Sequence, residues 1–369
     1  MRLNIYFLTG LFSLLGGPLL AQTGGNSVFG FSNLPLSARL NALGGQAVCV
    51  HDDDLTPAFQ NPALLDESMN NHISFNPVLY IADTRYGFAG YSHSFRHKQD
   101  HRKIGSFGLG VQYLNYGTFT YTDNTGEDIN TYGLPAASGD PLKSFRASDL
   151  CVMVSAARQF RQKFSYGATL KYLSSNYERY SAYALALDIG GNYYDYKKEL
   201  SAGIVLKNAG TPLRRFIPGE KQPMPFDLEA GISKKLRHTP FCFSLNLHDL
   251  QRFNLRYPAD NSTQQVLLGD TTAQKTRHYI ADKIFLHCIF AAEISLGDHL
   301  KIQLSYNHER REELAFTARK SLSGFSFGAT IKIKNFQVGY SHAVYNIVSG
   351  TNFFTLAVNL GQYLAHHDL

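Results

Sequence analysis

The sequence predicts an all-β, transmembrane antiparallel barrel of about fourteen strands, preceded by an N-terminal plug segment. Three features carry that expectation. First, apolar and polar residues alternate over many stretches, as where Phe164, Tyr166, Ala168, Leu170 and Tyr172 interleave with Ser165, Gly167, Thr169 and Lys171. A strand sends successive side chains to opposite faces, so one face of each stretch is oily and the other wet. Second, several stretches exceed the ~5–6 residues of soluble strands and match the ~9–11 that a tilted strand needs to cross a bilayer. Third, after the first pair the connections alternate short and long, as they do in outer-membrane barrels with short periplasmic turns and long outside loops.

Taken in order, the chain opens on MRLNIYFLTGLFSLLGGPLLAQ. Arg2 supplies a positive start, Leu3 to Leu20 an apolar run and Ala21 a last residue before cleavage, so residues 1–21 are expected to be a signal peptide. Gly16, Gly17 and Pro18 break the run and favour cleavage over a membrane helix, although Leu19 is larger than the usual residue two before a cut. No other stretch approaches ~18 consecutive apolar residues.

Residues 22–71 do not alternate. SARLNALGG reads as a short helix ending at Gly44 or Gly45, and Pro57 and Pro62 make DLTPAFQNPALL irregular or a pair of short turns. A compact segment ahead of the first strand fits a plug inside the lumen. Its marked positions are Gly44, Gly45, the acidic run Asp52, Asp53 and Asp54, and Asn61, Pro62 and Ala63.

From residue 72 to 369 the pattern is that of a barrel. Strands are expected at 72–81, 85–95, 105–117, 148–158, 164–176, 182–194, 199–208, 225–235, 240–249, 286–296, 299–309, 323–334, 335–346 and 352–362. Short connections fall at 159–163, 195–199, 236–239, 297–298 and 334–335, and longer ones at 118–147, 209–224, 250–285 and 310–322. An even strand number places both ends of the barrel on the periplasmic side. The outward apolar face then meets lipid, where only a closed sheet satisfies every backbone group. Tyr172, Tyr193, Tyr194, Tyr306 and Tyr340, near strand ends, are candidates for interfacial girdles. The competing reading is a large soluble β-protein whose sheets face each other.

Composition agrees. The 369 residues are 44% hydrophobic, 17% charged and 13% aromatic, with 31 glycines and no Trp, which excludes a disordered chain and a helical membrane protein. The net charge of +6, or +5 once Arg2 is removed, is spread along the chain, and no basic stripe of the kind nucleic acid requires is visible. Lumen-facing positions Lys171, Asp188, Lys207, Asp227, Glu229, Lys301 and Lys332 mix both signs. That suits ion pairs to a plug better than a selective ring.

Catalytic signatures are wanting: no Ser-His-Asp set or phosphate loop stands out, so no enzyme activity and no cofactor are expected. The acidic run lacks the spacing of a calcium loop and reads as a helix cap or a salt link to lumen Lys and Arg. Cys49, Cys151, Cys242 and Cys288 have no CxxC spacing, and no metal site is expected. By parity Cys151 and Cys242 point inward and Cys288 faces lipid; a bridge from Cys49 to Cys151 or Cys242 competes with unpaired buried thiols. The fourteen histidines scatter over turns and tails. The long polar loops are the better functional candidates, and Arg252, Arg256, Tyr257, Arg277 and Tyr279 are the side chains of a type that anchors interfaces.

Several stretches carry a resemblance: LPLSARLNALGG at 34–45, DDD at 52–54, NPALL at 61–65, YGFAGYSHSF at 86–95, VQYLNYGTF at 111–119, LALDIGGNYY at 185–194, LKNAG at 206–210 and, most specific, PFDLEAGISKKLRHTPFCFSLNLHDLQRFNL at 225–255. Together they resemble the FadL-like outer-membrane barrels and, among these, the PorQ family of the type IX secretion system of Bacteroidetes. The resemblance implies a fourteen-stranded outer-membrane barrel in the attachment complex with PorU, PorV and PorZ. That machine joins secreted cargo to lipopolysaccharide, and this member holds PorZ at the surface. The chain departs from many barrels by running past Tyr363 to LAHHDL, so Tyr363 stands where a terminal aromatic is usual. The alternative is a FadL-type transporter of hydrophobic small molecules, for which the inward Gly, Ser, Thr, Asn, Lys and Asp supply little greasy surface.

Overall fold

A computed structural model describes residues 27–80, 84–96, 103–120, 144–220, 222–255, 280–314, 322–344 and 350–361. The expected signal peptide and the loop positions Arg256, Tyr257, Arg277 and Tyr279 lie outside these residues. Fourteen strands form: β1 (His72–Leu79), β2 (Arg85–Arg96), β3 (Lys103–Thr120), β4 (Ser144–Phe160), β5 (Phe164–Tyr177), β6 (Tyr180–Asp195), β7 (Leu200–Arg214), β8 (Asp227–Lys235), β9 (Phe241–Leu247), β10 (Cys288–Leu296), β11 (Leu300–Asn307), β12 (Phe325–Ile333), β13 (Phe336–Val344) and β14 (Gly350–Asn359). Each pairs antiparallel with its sequence neighbours, and β14 returns to β1 with His72 opposite Asn359. The sheet therefore has no free edge. No helix among the described residues is long and apolar enough to cross a membrane.

The alternation places the oily side chains outside. Leu109, Leu170, Ile204, Leu304 and Val338 are each more than half exposed to the surroundings, while inward Ser74, Thr169, Asp188, Gln303 and Ser341 are buried. An outward band of this kind is the signature of strands solvated by hydrocarbon.

The wall is uneven. Strands β3 to β7 have 18, 17, 14, 16 and 15 residues, whereas β8 to β14 have 7 to 10. The surplus lies at the long-loop end, where Tyr177 pairs with Tyr180 across a two-residue turn, Glu178–Arg179. Glu178 adopts φ 57° to make it, so the expected alternation of loop lengths fails there. β7 also outruns its expected end at 208. Asn208 at φ 54° accompanies a register shift opposite Leu187 to Ile189, after which pairing resumes from Ala209 to Arg214. Much of the expected 209–224 loop is thus strand. Two short helices stand at the same end: α2 (Ile280–Leu286) before β10 and α3 (His308–Leu314) after β11.

Residues 27–71 run along the inward side of the strands. A helix, α1 (Ala38–Ala42), starts where the Ser37 side chain accepts from Leu40 N. It stops where Gly45 N donates to Leu40 O and Gly44 N to Asn41 O. That is a Schellman ending, which needs left-handed residues, and Gly44 (φ 94°) and Gly45 (φ 103°) supply them. Three 3₁₀ turns follow at Thr56–Phe59, Pro62–Leu64 and Glu67–Met69. Hydrogen bonds tie the segment around the ring: Gln112 Nε2 to Phe31 O, Ala38 N to Thr355 Oγ1, Asn41 Nδ2 to Ser341 Oγ, Ser233 Oγ to Cys49 O and Ser165 Oγ to Ala63 O, at 2.6–3.0 Å.

Candidate functional site

The inward glycines are the receptors of this segment. A Cβ at Gly110 would stand 2.8 Å from the Phe59 ring, and one at Gly167 2.6 Å from the Pro62 backbone. One at Gly328 would stand 2.7 Å from Ala42 Cβ, and one at Gly231 3.0 Å from Cys49 Sγ. Real Cβ atoms do not approach closer than 3.0 Å, so the first three are hollows that only glycine leaves, whereas Gly231 faces side-chain ends that can give way. Phe59 also meets Phe88 edge to face, with centroids 5.1 Å apart.

Ion pairs reinforce the packing. Arg39, 3% exposed, reaches Asp52 (2.6 Å), Asp54 (3.4 Å) and both oxygens of Glu293 on β10 (2.9 and 3.0 Å). Lys301 on β11 completes the knot at 2.9 Å from Asp52, and Lys332 on β12 pairs with Asp53. Burial pushes the Asp52 carboxyl up, but the charges of Arg39 and Lys301 outweigh it and hold the group well below the usual range. Asp54 is driven up, by burial first and then by Asp52, while its carboxylate caps Thr56 through N (3.0 Å) and Oγ1 (2.9 Å). The three acids thus divide their work, Asp52 and Asp53 to the wall and Asp54 chiefly to its own turn.

The other expected positions fall as follows. Asn61 Oδ1 accepts from Ala63 N (3.1 Å) and its Nδ2 donates to Val48 O (2.7 Å), so NPA is a turn seated against β5 and β6. Lys171 pairs with Asp188 (2.6 Å) and Lys207 with Glu229 (2.9 Å). Both pairs are buried within the wall, which meets the segment there through Asn208 Nδ2 and Asn33 Oδ1 (2.7 Å). The four cysteines are free. Cys288 is not lipid-exposed as parity suggests: it is covered, with Sγ 3.3 Å from Ile284 O of α2. Burial pushes the Cys49 thiol up to about 12. Tyr194 turns inward to stack on His51 (4.2 Å), so it is not a girdle residue. Arg252 lies half-buried in the turn after β9, its N donating to Asp249 O (2.9 Å). The sequence reading overlooked Arg39 and Glu293, each a lone charge in an apolar context, ARLNAL and FAAEISL.

Two further features frame the lumen. Towards the long-loop end Phe29, Phe31, Phe88, Leu114, Met153 and Leu173 form one buried apolar cluster. At the short-turn end a cavity of about 1370 Å³ opens between the segment and β2 to β6, lined among others by His51, Asp66, Arg158, Lys163 and Tyr194. Beyond the ends of β9 and β11, His248, Asp249 and Glu309 converge at the long-loop end, with donor atoms within 4.8 Å of one another. Burial depresses His248, but Asp249 and Glu309 raise it to about 9; burial lifts Glu309 to about 7 against His248.

No known family profile and no curated protein sequence matches the chain. Among solved structures it is similar to the toluene transporter TodX of Pseudomonas putida, at 10% identity and TM-score 0.50, covering 88% of this chain and 96% of that one. The CymD monoaromatic hydrocarbon channel aligns at 13% identity and TM-score 0.45, covering 88% and 97%. The described residues thus form a closed fourteen-strand antiparallel β-barrel, a fold shared with the toluene transporter.

Proposed function

We propose that the protein is a non-enzymatic barrel of the outer membrane, shut by residues 22–71 acting as a plug, that admits small hydrophobic molecules from the outer face. The observation that carries this reading is the segment seated in glycine hollows and tied by Arg39 and Lys301, its own apolar residues packed against the wall in one cluster and a vestibule open at the short-turn end. A lumen so filled suits neither a water-filled porin nor a ring of fixed charge. An apolar guest would enter by loosening the contacts around Phe59 and Phe88. The fold shared with a toluene transporter supports this reading above its rival.

The rival is an anchor in a type IX secretion attachment complex that holds a PorZ-like partner beside PorU, PorV and lipopolysaccharide. The quoted stretches at 34–45 and 225–255 support it, as does the pair of helices at the long-loop end. Its docking residues are Arg252, Arg256, Tyr257, Arg277 and Tyr279. One experiment separates the two. Cells lacking the protein are assayed for uptake of a labelled monoaromatic or fatty acid, while tagged protein is purified from outer membranes to identify what co-elutes. Lost uptake with no stoichiometric partner supports transport. Normal uptake with a co-eluting surface protein, lost when 259–280 are deleted, overturns it in favour of the anchor.

A further inference from the structure

We propose that His248, Asp249 and Glu309 bind one transition-metal dication, zinc being the best match, which clips the exit of β9 to α3 at the long-loop end. The proposal holds whichever reading of the barrel's role is correct.

The three side chains turn their donor atoms towards one another. His248 Nδ1 stands 3.2 Å from Asp249 Oδ2 and 3.6 Å from Glu309 Oε2. Ligands at ~2.0–2.1 Å from a tetrahedral zinc lie about 3.3 Å from one another. The two His248 distances match that spacing, and all three donor atoms lie within 4.8 Å of one another, so side-chain rotation alone brings them onto one ion. One imidazole nitrogen and two carboxylate oxygens form a donor set that zinc accepts, with water as the fourth ligand. Calcium and magnesium prefer oxygen throughout.

Burial supplies the second observation. His248 is 2% exposed and turns its Nδ1 edge to both carboxylates, while Nε2, on the far edge of the ring, has no hydrogen-bond partner among the described residues. Within ion-pair distance, His248 is the cation recorded for both carboxylates among these residues. A dication at Nδ1 would take the place of the proton that His248 otherwise holds between the two acids.

The surroundings hold the donors in place. Gln251 Nε2 donates to Asp249 Oδ1 (3.0 Å) while its Oε1 accepts from Leu228 N (2.8 Å). Asp249 N donates to Asp227 Oδ1 (2.7 Å), and His248 N to His287 O (3.1 Å). Arg310 N donates to Asn307 Oδ1 (2.9 Å), which fixes the first turn of α3 that carries Glu309. Outer partners of this type orient ligands and strengthen metal binding.

The test uses the full chain folded in detergent, stripped with EDTA and titrated with zinc chloride by calorimetry. Elemental analysis gives the stoichiometry, and heat-modifiable gel migration verifies that the barrel is folded. One zinc per chain is expected, weakened on the order of 100-fold or more by His248→Ala or Glu309→Gln and about tenfold by Gln251→Ala. His299→Ala, outside the cluster, is expected to change nothing. Glu309→Gln keeps the test sharp if His248→Ala does not fold. Binding that both variants leave intact puts the metal elsewhere and overturns the proposal. Absence of stoichiometric binding by the folded chain also overturns it, leaving a protonated histidine between two acids.

Discussion

Replacing Arg39 with alanine is expected to free the N-terminal segment from the wall while the barrel remains assembled. The guanidinium is 3% exposed and contacts Asp52, Asp54 and Glu293. Its removal leaves Asp54, 5% exposed, without its cation, and Glu293, 8% exposed, with only Lys301 at 3.9 Å among the described residues. Orphaning a buried ion-pair partner costs about 3–5 kcal/mol. The strand hydrogen bonds do not involve Arg39, so this cost falls on docking of the segment. Each 1.4 kcal/mol is a factor of ten in an equilibrium, so the undocked population is expected to rise on the order of 10²- to 10³-fold. Cys49 reports it. The thiol is fully buried against Ser233 and Asn246 and its ionisation is pushed up to about 12 by burial, so it resists maleimide while docked. The assay is the labelling rate of Cys49, mapped by mass spectrometry in outer-membrane vesicles, with gel migration confirming a folded barrel. An unchanged Cys49 rate in a folded Arg39→Ala barrel would refute the ion lock. Pairing Arg39→Met with Glu293→Leu is expected to recover part of the loss, because one of the buried acids that Arg39 neutralised is removed with it.

Three further outcomes follow from the same contacts. Gly167→Ala drives a Cβ to 2.6 Å from the Pro62 backbone and is expected to cost about 1–3 kcal/mol of segment docking. Hydrogen exchange over 61–65 measures it, with Gly191→Ala, whose Cβ meets only Ile204 at 3.7 Å, as a near-silent control. Leu304→Arg on the outward face is expected to destabilise the inserted barrel by about 2–4 kcal/mol, read by urea unfolding from lipid vesicles. Asp52 is held below its ordinary value, so its ion pairs contribute fully above about pH 4 and lose strength as pH falls towards the depressed native value. Amide protection across 38–69 should therefore hold at neutral pH and decline only in strong acid; loss already at pH 6 would contradict the assignment.

The strands were legible because each carries its own evidence, as in Phe325, Phe327, Ala329 and Ile331 alternating with Ser326, Gly328, Thr330 and Lys332. All but β7, which runs on to Arg214, stand within four residues of their expected bounds. The departures arise where local pattern is silent. Glu178 and Arg179 make a two-residue turn without the Gly or Asn that usually announces one. Asn208 absorbs a bulge that looks like a strand end. α2 and α3, seven residues each, are too short for a helical period to emerge from a polar loop. In the lumen, composition announced small inward residues, yet not that Gly110 receives Phe59 or Gly231 receives Cys49, because those pairs are far apart in sequence. The acidic run suggested a salt link, while the identities of Lys301, Lys332 and Glu293 as its companions came only from the closed ring. His248 and Glu309 belong to different connections, so their convergence had no sequence signal at all.

The account rests on a lipid-facing barrel whose own N-terminal segment occupies its interior, and one cross-link tests that most directly. A Cβ at residue 231 lies 3.0 Å from Cys49 Sγ, close to the Cβ-to-sulfur separation of about 3 Å within a disulfide. Gly231→Cys in native outer membranes, under mild oxidation, is expected to join residue 231 of β8 to Cys49 in a folded barrel. Two free thiols at positions 49 and 231 in the same folded, membrane-embedded chain would contradict it.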